Sequence, residues 1–187
     1  MGVPNGYTSA QVVQAVPTGI QSALVYIGSG TLSGSSTTFS NVFSATYNNY
    51  LITADEIYGT SQVEFGLQIG GVTSSDYSYG TYRGQNNTSA GSFYNVWNGS
   101  ATATDIRLGN AYSTQTNSGS LYLNIVNPFR ALETRVFGTY TDGNDGFITQ
   151  GSLKLATSYS SFTLLTASSS FNASASNIVR FYGYANS

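Results

Sequence analysis

One polar stretch of the chain holds the side chains best suited to bind a ligand. Within residues 76–99, tyrosines and a tryptophan are interleaved with Ser, Gly and Asn. This combination of residue types is typical of adaptable binding surfaces, and aromatic rings of this kind stack on sugars. The candidate glycan-binding residues are Tyr77, Tyr79, Tyr82, Arg83, Tyr94 and Trp97. The alternative is that these rings pack between two sheets and that the polar residues are loop.

The chain has few residues that are suited to catalysis. It has no His and no Cys, so the commonest general base and the thiolate nucleophile are both absent. Glycoside cleavage would need two of the eight carboxylates to converge. Asp55 and Glu56 are adjacent in a predicted strand and point to opposite faces, so they cannot form such a pair. We expect no enzyme and no catalytic residue, with an endoglycosidase as a distant third hypothesis.

Residues 141–146 form the one acidic loop of the sequence. The run Thr-Asp-Gly-Asn-Asp-Gly resembles half of a calcium loop, but its glycine is misplaced and the downstream Glu is missing. The same residue types are selected by a hairpin turn that needs positive φ. We expect a turn, leave calcium binding open, and predict no metal site and no cofactor.

The charge composition limits the possible partners. Charged residues make up only 7% of the chain, the net charge is −2, and there are six Lys and Arg. Without a cluster of cations there is little to displace counterions from phosphates, so we expect no nucleic-acid partner. No run approaches the roughly 18 apolar residues that a membrane-spanning helix needs, so we expect no membrane partner.

Residues 50–71 carry the clearest periodic signal. Val63, Phe65, Leu67 and Ile69 alternate with polar or small residues, which predicts a strand with one apolar face. The first half of the stretch predicts a second strand, and residues 58–61 have the composition of a tight connection. We expect two antiparallel strands with a shared apolar face. Comparable strand signals occur in residues 23–27, 37–43, 77–83, 92–97, 105–110, 120–126, 134–141, 146–156, 162–166 and 177–184.

About ten short strands separated by polar turns predict an all-β protein. The simplest architecture for them is an antiparallel β-sandwich of the jelly-roll type, formed by residues 23–187. Helix is possible only near the N-terminus and around residues 129–133.

Residues 1–22 differ from the rest and are predicted to form an extended N-terminal arm. Gly and Pro punctuate them, and they cannot bury enough apolar area to order themselves. We therefore expect the arm to make assembly contacts with another subunit. The residues expected to make them are Val3, Pro4, Tyr7, Val12, Val13, Val16 and Pro17.

Three motifs, in order, resemble a family of small β domains in tailed bacteriophages, especially those of aquatic hosts. The first places Phe43, Ser44, Tyr47, Asn49, Tyr50 and Ile52 after a strand. The second is Ile125-x-Asn127-Pro128, and the third is Phe181-Tyr182-Gly183-Tyr184. The resemblance spans residues 23–185 and implies a virion structural or tail-associated protein without enzymatic residues.

Together these observations favour a non-enzymatic protein on the outer surface of the virion. The leading hypothesis is a capsid decoration (cement) protein, attached through its arm to the major capsid protein or other virion proteins and forming a homotrimer. A tail fibre normally needs an anchor and a shaft, whereas this sequence offers only a short arm and one globular unit. The alternative is a receptor-binding tip of a tail or head fibre that recognises host surface glycans through the residues 77–97 surface.

Overall fold

The computed structural model describes residues 24–87, 92–173 and 176–185, with the backbone alone for residues 85–87 and 92–98. The arm therefore lies outside the described residues, as do its predicted contact residues. The described part is all-β, as the sequence predicts, with a single turn of 3-10 helix at Gln115–Asn117.

Twelve strands form in the described part of the chain, and each overlaps one of the segments in which the sequence shows a strand signal. They are β1 Leu24–Thr31, β2 Ser36–Phe39, β3 Asn49–Ile57, β4 Val63–Ile69, β5 Tyr77–Asn87, β6 Ser92–Ala103, β7 Ile106–Ala111, β8 Gly119–Val126, β9 Thr134–Thr141, β10 Asp145–Leu153, β11 Phe162–Thr166 and β12 Ile178–Tyr184.

The pairing of eight of these strands is nested. Going inward from the two ends of the described chain, β1 pairs with β12, β2 with β11, β3 with β8 and β4 with β7, all antiparallel. The nested pairs alternate between two sheets, which gives the orders β1-β12-β3-β8 and β2-β11-β4-β7. This is the strand order of a jelly roll, so the predicted architecture is confirmed.

Two additional hairpins widen one of the sheets. The β5–β6 hairpin lies between β4 and β7 in the chain, and the β9–β10 hairpin lies between β8 and β11. Both add to the same sheet, which becomes β1-β12-β3-β8-β9-β10-β5-β6, while the other sheet keeps four strands. The larger sheet therefore has one inner face that packs against the small sheet and one broad outer face.

The core lies between the two sheets and follows from the alternation of side chains along each strand. In β4 the apolar residues Val63, Phe65, Leu67 and Ile69 are buried while Glu64 is exposed. From the opposite sheet, β8 contributes Leu121, Leu123 and Ile125 to the same cluster. Truncating one of the aromatic residues, such as Phe65, to alanine would cost about 3–5 kcal/mol.

The expectation that residues 50–71 form two antiparallel strands with one shared apolar face is wrong. β3 lies in the eight-stranded sheet and β4 in the four-stranded sheet. Between them the chain crosses from one sheet to the other, where Tyr58 bridges to Tyr112 and Gly59 to Phe171. The two apolar faces oppose each other across the core. Alternation in the sequence is the same whether two strands share a sheet or face each other.

The possible helix around residues 129–133 is also absent, since that segment forms turns and bends. Asn127 adopts a left-handed conformation with φ of 60°. The Arg130 N–H donates to the Asn127 carbonyl at 3.2 Å, closing a turn directly after β8. Pro128 lacks the N–H that a continued ladder would use.

The three motifs of the phage resemblance meet at one end of the sandwich. The Tyr47 ring lies against Gly183, where any Cβ would collide with it, and packs edge-on against Tyr50 at 5.9 Å. The Tyr50 hydroxyl accepts the Ser44 N–H at 2.7 Å and donates to the Ser44 carbonyl at 2.9 Å. The Asn127 N–H donates to the Asn48 carbonyl. These motif residues therefore hold the fold together.

Candidate binding surface

Strand β5 carries most of the candidate residues, and the direction of its side chains divides them. The Thr81 hydroxyl donates to the Arg107 carbonyl of β7 at 3.1 Å, so Thr81 points toward the small sheet. Alternation along the strand places Tyr77, Tyr79 and Arg83 on the same inner side. Only Tyr82 points to the outer face, where it is 37% exposed.

Tyr77 is a core residue, which corrects its assignment to a glycan-binding surface. Its side chain is fully buried. The hydroxyl accepts the Ile69 N–H at 2.8 Å and has the carbonyls of Ile69 and Val72 as acceptors at 3.2 and 3.1 Å. Burial raises the pKa of Tyr77 to about 12. This side chain anchors the turn after β4 and is out of reach of any sugar.

Tyr79 is half-buried and packs against the core, although it also lines a depression on the sheet surface. Burial raises the pKa of its hydroxyl. Its position fits the alternative in which these rings pack between the sheets.

Arg83 is held inside the sandwich by a buried carboxylate. Its Nη2 atom donates to Asp145 Oδ2 at 2.7 Å, and the Asp145 side chain has no exposed surface. The Tyr112 hydroxyl donates to the same oxygen at 3.1 Å, and the guanidinium lies 5.7 Å from the centre of the Phe147 ring. A cavity of about 90 Å³ adjoins this group, with Arg83 and Arg107 in its lining. Arg83 thus links β5 to the start of β10.

The acidic loop forms the turn of the β9–β10 hairpin. Asp142 Oδ1 accepts the N–H groups of Asn144 and Asp145 at 2.8 and 2.7 Å, and the Asp142 N–H donates to the Asp145 carbonyl. Burial raises the pKa of the Asp142 carboxyl, and the nearby negative charge of Asp145 adds to the shift. Among residues 24–87, 92–173 and 176–185, no group of three or more acidic side chains comes together to hold a metal ion.

Two further candidates, Tyr94 and Trp97, have side chains outside the described part. Their backbones belong to β6, where Tyr94 pairs with Gln85 and Trp97 with Tyr82.

The outer face of the eight-stranded sheet exposes large apolar side chains, and the sequence had singled out only Tyr82 and Tyr182 among them. Cross-strand neighbours on this face run from Tyr82 to Ile148, then to Thr139 and Tyr122. A second row of neighbours runs from Gln150 to Phe137 and Asn124. It continues through the buried Leu51 of β3 to the edge-to-face pair of Tyr182 and Tyr26. The exposed fractions are 57% for Tyr26, 48% for Tyr122, 51% for Phe137 and 60% for Ile148.

Two shallow depressions mark this outer face. The larger, of about 1020 Å³, crosses β9, β10, β5 and β6, with Phe137, Arg135 and Gln150 beside small residues such as Gly80 and Ser152. The smaller, of about 460 Å³, is lined by Tyr82, Tyr122, Phe137 and Ile148 among others. Gln150 is exposed in the larger depression, and its amide forms no hydrogen bond with another described residue.

Charged side chains stand only at the margins of this face. Arg180 donates to Asp55 at 2.9 Å at one end, and Arg135 lies 3.8 Å from Glu133 at the other. Exposed pairs of this kind contribute little stability, about 0–1 kcal/mol each. The centre of the face is uncharged and aromatic.

A sequence signal for this face did exist in the alternation of β8. Leu121, Leu123 and Ile125 define the inner side, so Tyr122 has to point outward. Phe137 and Ile148 obey the same rule in β9 and β10. Apolar residues of outward parity are the feature that would have indicated this surface.

The fold and this face define an all-β jelly-roll module with an exposed aromatic sheet face. No protein-family model matches the chain, and no curated protein matches it. No helix among the described residues has the length and apolar character needed to cross a membrane.

Proposed function

We propose that this chain is a non-enzymatic protein of the outer surface of a tailed-phage virion, acting as a capsid decoration protein. The observation that carries the proposal is the edge position of β1. Among the described strands, β1 is the first of the eight-stranded sheet and has β12 as its one neighbour, which leaves the backbone of residues 25–31 on the sheet edge where a partner strand could add. The jelly roll is a fold common among viral capsid proteins, which supports the same role.

The composition of β1 and of the arm before it favours attachment at this place. The eight residues of β1 contain no Pro and no charged residue, which are the usual means of protecting a sheet edge from another chain. The arm, residues 1–22, also contains no charged residue. Arm and edge together offer a neutral, partly apolar strip that a capsid subunit can cover by strand addition. Many copies on one particle make weak contacts effective.

Particle binding by variants tests this proposal. Deletion of residues 1–18 is expected to abolish co-sedimentation with undecorated capsids while the β domain remains folded by circular dichroism. Ser29→Lys, which places a charge on the β1 edge, is expected to weaken binding, whereas Ser120→Lys on the interior strand β8 serves as the control. Full binding by the deletion variant would refute attachment through the arm.

The number of copies on each virion gives a second test. A decoration protein is expected at hundreds of copies, measured by quantitative gel against the major capsid protein. A few copies to a few dozen would indicate a fibre.

The larger depression favours a second candidate, a fibre tip that binds host glycans. It combines an aromatic wall at Phe137, the exposed amide of Gln150 and the guanidinium of Arg135, a set that suits stacking and hydrogen bonding to sugar rings. A glycan array should then show binding that Gln150→Ala and Phe137→Ala abolish and that Leu132→Ala, in the β8–β9 loop, leaves intact. Absence of binding to any surface glycan of the host would exclude this function.

A further inference from the structure

We propose that the outer face of the eight-stranded sheet is a self-association surface, on which a second copy of this chain binds. These contacts would form between copies of the free protein, whether or not it is attached to a capsid.

The large exposed side chains of this face are too apolar and too numerous for a surface that stays in contact with water. Phe137 and Ile148 are 51% and 60% exposed, and Tyr122 adds a ring at 48%. They are neighbours on three adjacent strands, β8, β9 and β10, so the exposed apolar surface is continuous. Continuous patches of this kind mark interaction sites.

The charge distribution fits a copy of the same surface better than another partner. When two copies of one surface pair around a two-fold axis, a charge near the axis lies close to the same charge on the other copy. The two like charges then repel each other. The central residues of this face are Tyr, Phe, Ile, Thr, Asn and Gln, so no such repulsion arises. The charged pairs Arg180–Asp55 and Arg135–Glu133 lie at the two margins and are already neutralised within one chain. An apolar centre with a polar rim is the usual arrangement of a protein interface.

The shape of the face allows two copies to fit together. Ile148 and Phe137 project from it, and beside them lies the smaller depression of about 460 Å³, large enough to receive such side chains. Two copies placed face to face can each insert these projections into the depression of the other. This resembles the pairing of anchors and pockets in stable interfaces.

The area of the face is sufficient for a stable contact. Eight strands at about 4.8 Å spacing and about 20 Å of strand length give about 700 Å² per copy, or about 1,400 Å² for a pair. Stable protein interfaces bury about 1,200–2,000 Å².

Charged substitutions on the face test the proposal with the full chain. Light scattering coupled to size exclusion should show an oligomer for the natural sequence. Ile148→Glu and Phe137→Glu should each weaken self-association by about 30-fold or more, as expected for central anchors. Leu132→Glu is the matched control, because Leu132 is also 50% exposed but lies in the β8–β9 loop outside the two rows. Melting curves for all three variants should remain close to that of the natural protein, because none of these side chains is buried.

The absence of cysteine allows an independent readout. Thr139→Cys places the only thiol of the chain at the centre of the face. A short bis-maleimide should then link two copies, whereas Thr114→Cys, away from the sheet, should remain unlinked. A monomer at all concentrations, or an oligomer that both glutamate variants leave unchanged, would overturn the proposal. In the first case the N-terminal arm or a glycan would become the better candidate to cover this face.

Discussion

Arg83 Nη2 donates a 2.7 Å hydrogen bond to the carboxylate of Asp145, which is completely buried. The contact joins β5, in one inserted hairpin, to the first residue of β10 in the other. Tyr112, which bridges to Tyr58 just beyond the end of β7, donates to the same oxygen. One buried carboxylate thus ties together both hairpins that widen the jelly roll and the chain that leaves the small sheet.

Loss of Arg83 should therefore strongly destabilise the folded protein. Arg83→Met keeps the apolar stem but leaves the Asp145 charge buried without its cation, and we expect the free energy of unfolding to fall by about 3–5 kcal/mol. Urea denaturation measures the change. Arg135→Met removes an arginine from an exposed pair and should cost about 0–1 kcal/mol. Equal effects of the two substitutions would contradict the importance of the buried pair.

The contact between Tyr47 and Gly183 predicts that the third motif tolerates no side chain at its glycine. A Cβ at Gly183 would collide with the Tyr47 ring, so Gly183→Ala should destabilise the protein by about 1–3 kcal/mol through overpacking. Gly146→Ala is the control, since a Cβ there meets nothing within 4 Å, and it should change stability by less than about 0.5 kcal/mol. Thermal melting of both variants measures the effect. An unchanged melting temperature for Gly183→Ala would contradict the predicted collision.

Asp142 should make stability depend on pH in the acid range. Because burial raises its pKa above the ordinary value of 3.8, the folded protein binds this proton more readily than the unfolded chain. Stability linked to this group is therefore greatest at low pH and falls as the pH rises through its raised pKa.

Asp142→Asn tests this linkage because the amide keeps the oxygen that accepts the two N–H groups of the turn. The variant should be more stable than the natural protein at pH 7, and the difference should shrink as the pH falls toward 3.8. Urea denaturation across that range provides the data, with Asp55→Asn in an exposed pair as the control. If Asp142→Asn were less stable than the natural protein at pH 7, the result would contradict the prediction that the ionised Asp142 carboxylate destabilises the folded protein.

Tyr77 predicts a second pH effect, in the alkaline range. Its pKa of about 12 in the folded protein exceeds the ordinary value of 10, so this linked stability is present below pH 10 and is lost as the pH rises toward 12. Tyr77→Phe should cost about 1–3 kcal/mol at pH 7, because the buried Ile69 N–H loses its acceptor. The variant should also lose less stability than the natural protein between pH 9 and 11. Tyr82→Phe, on the outer face, should change neither quantity appreciably.

The candidate binding residues were predictable only in part, and β5 explains why. Tyr77, Tyr79 and Tyr82 all have the composition of a binding surface, yet only Tyr82 lies on the outer face. A strand with aromatic or small residues on both sides does not reveal which side will be buried. That depends on the position of β7, whose Arg107 carbonyl binds Thr81 and Thr149 from the opposite sheet.

The sequence by itself determined that this is an all-β sandwich, because alternating apolar residues and polar turns are local signals that need no partner to be read. It also determined the scarcity of charge, since composition is independent of folding. Only the tertiary structure decided that β3 and β4 face each other across the core, and that Tyr122, Phe137 and Ile148 meet on one exposed face. Those relationships depend on which distant strands pair, and pairing between residues far apart in the chain leaves no pattern in either segment alone.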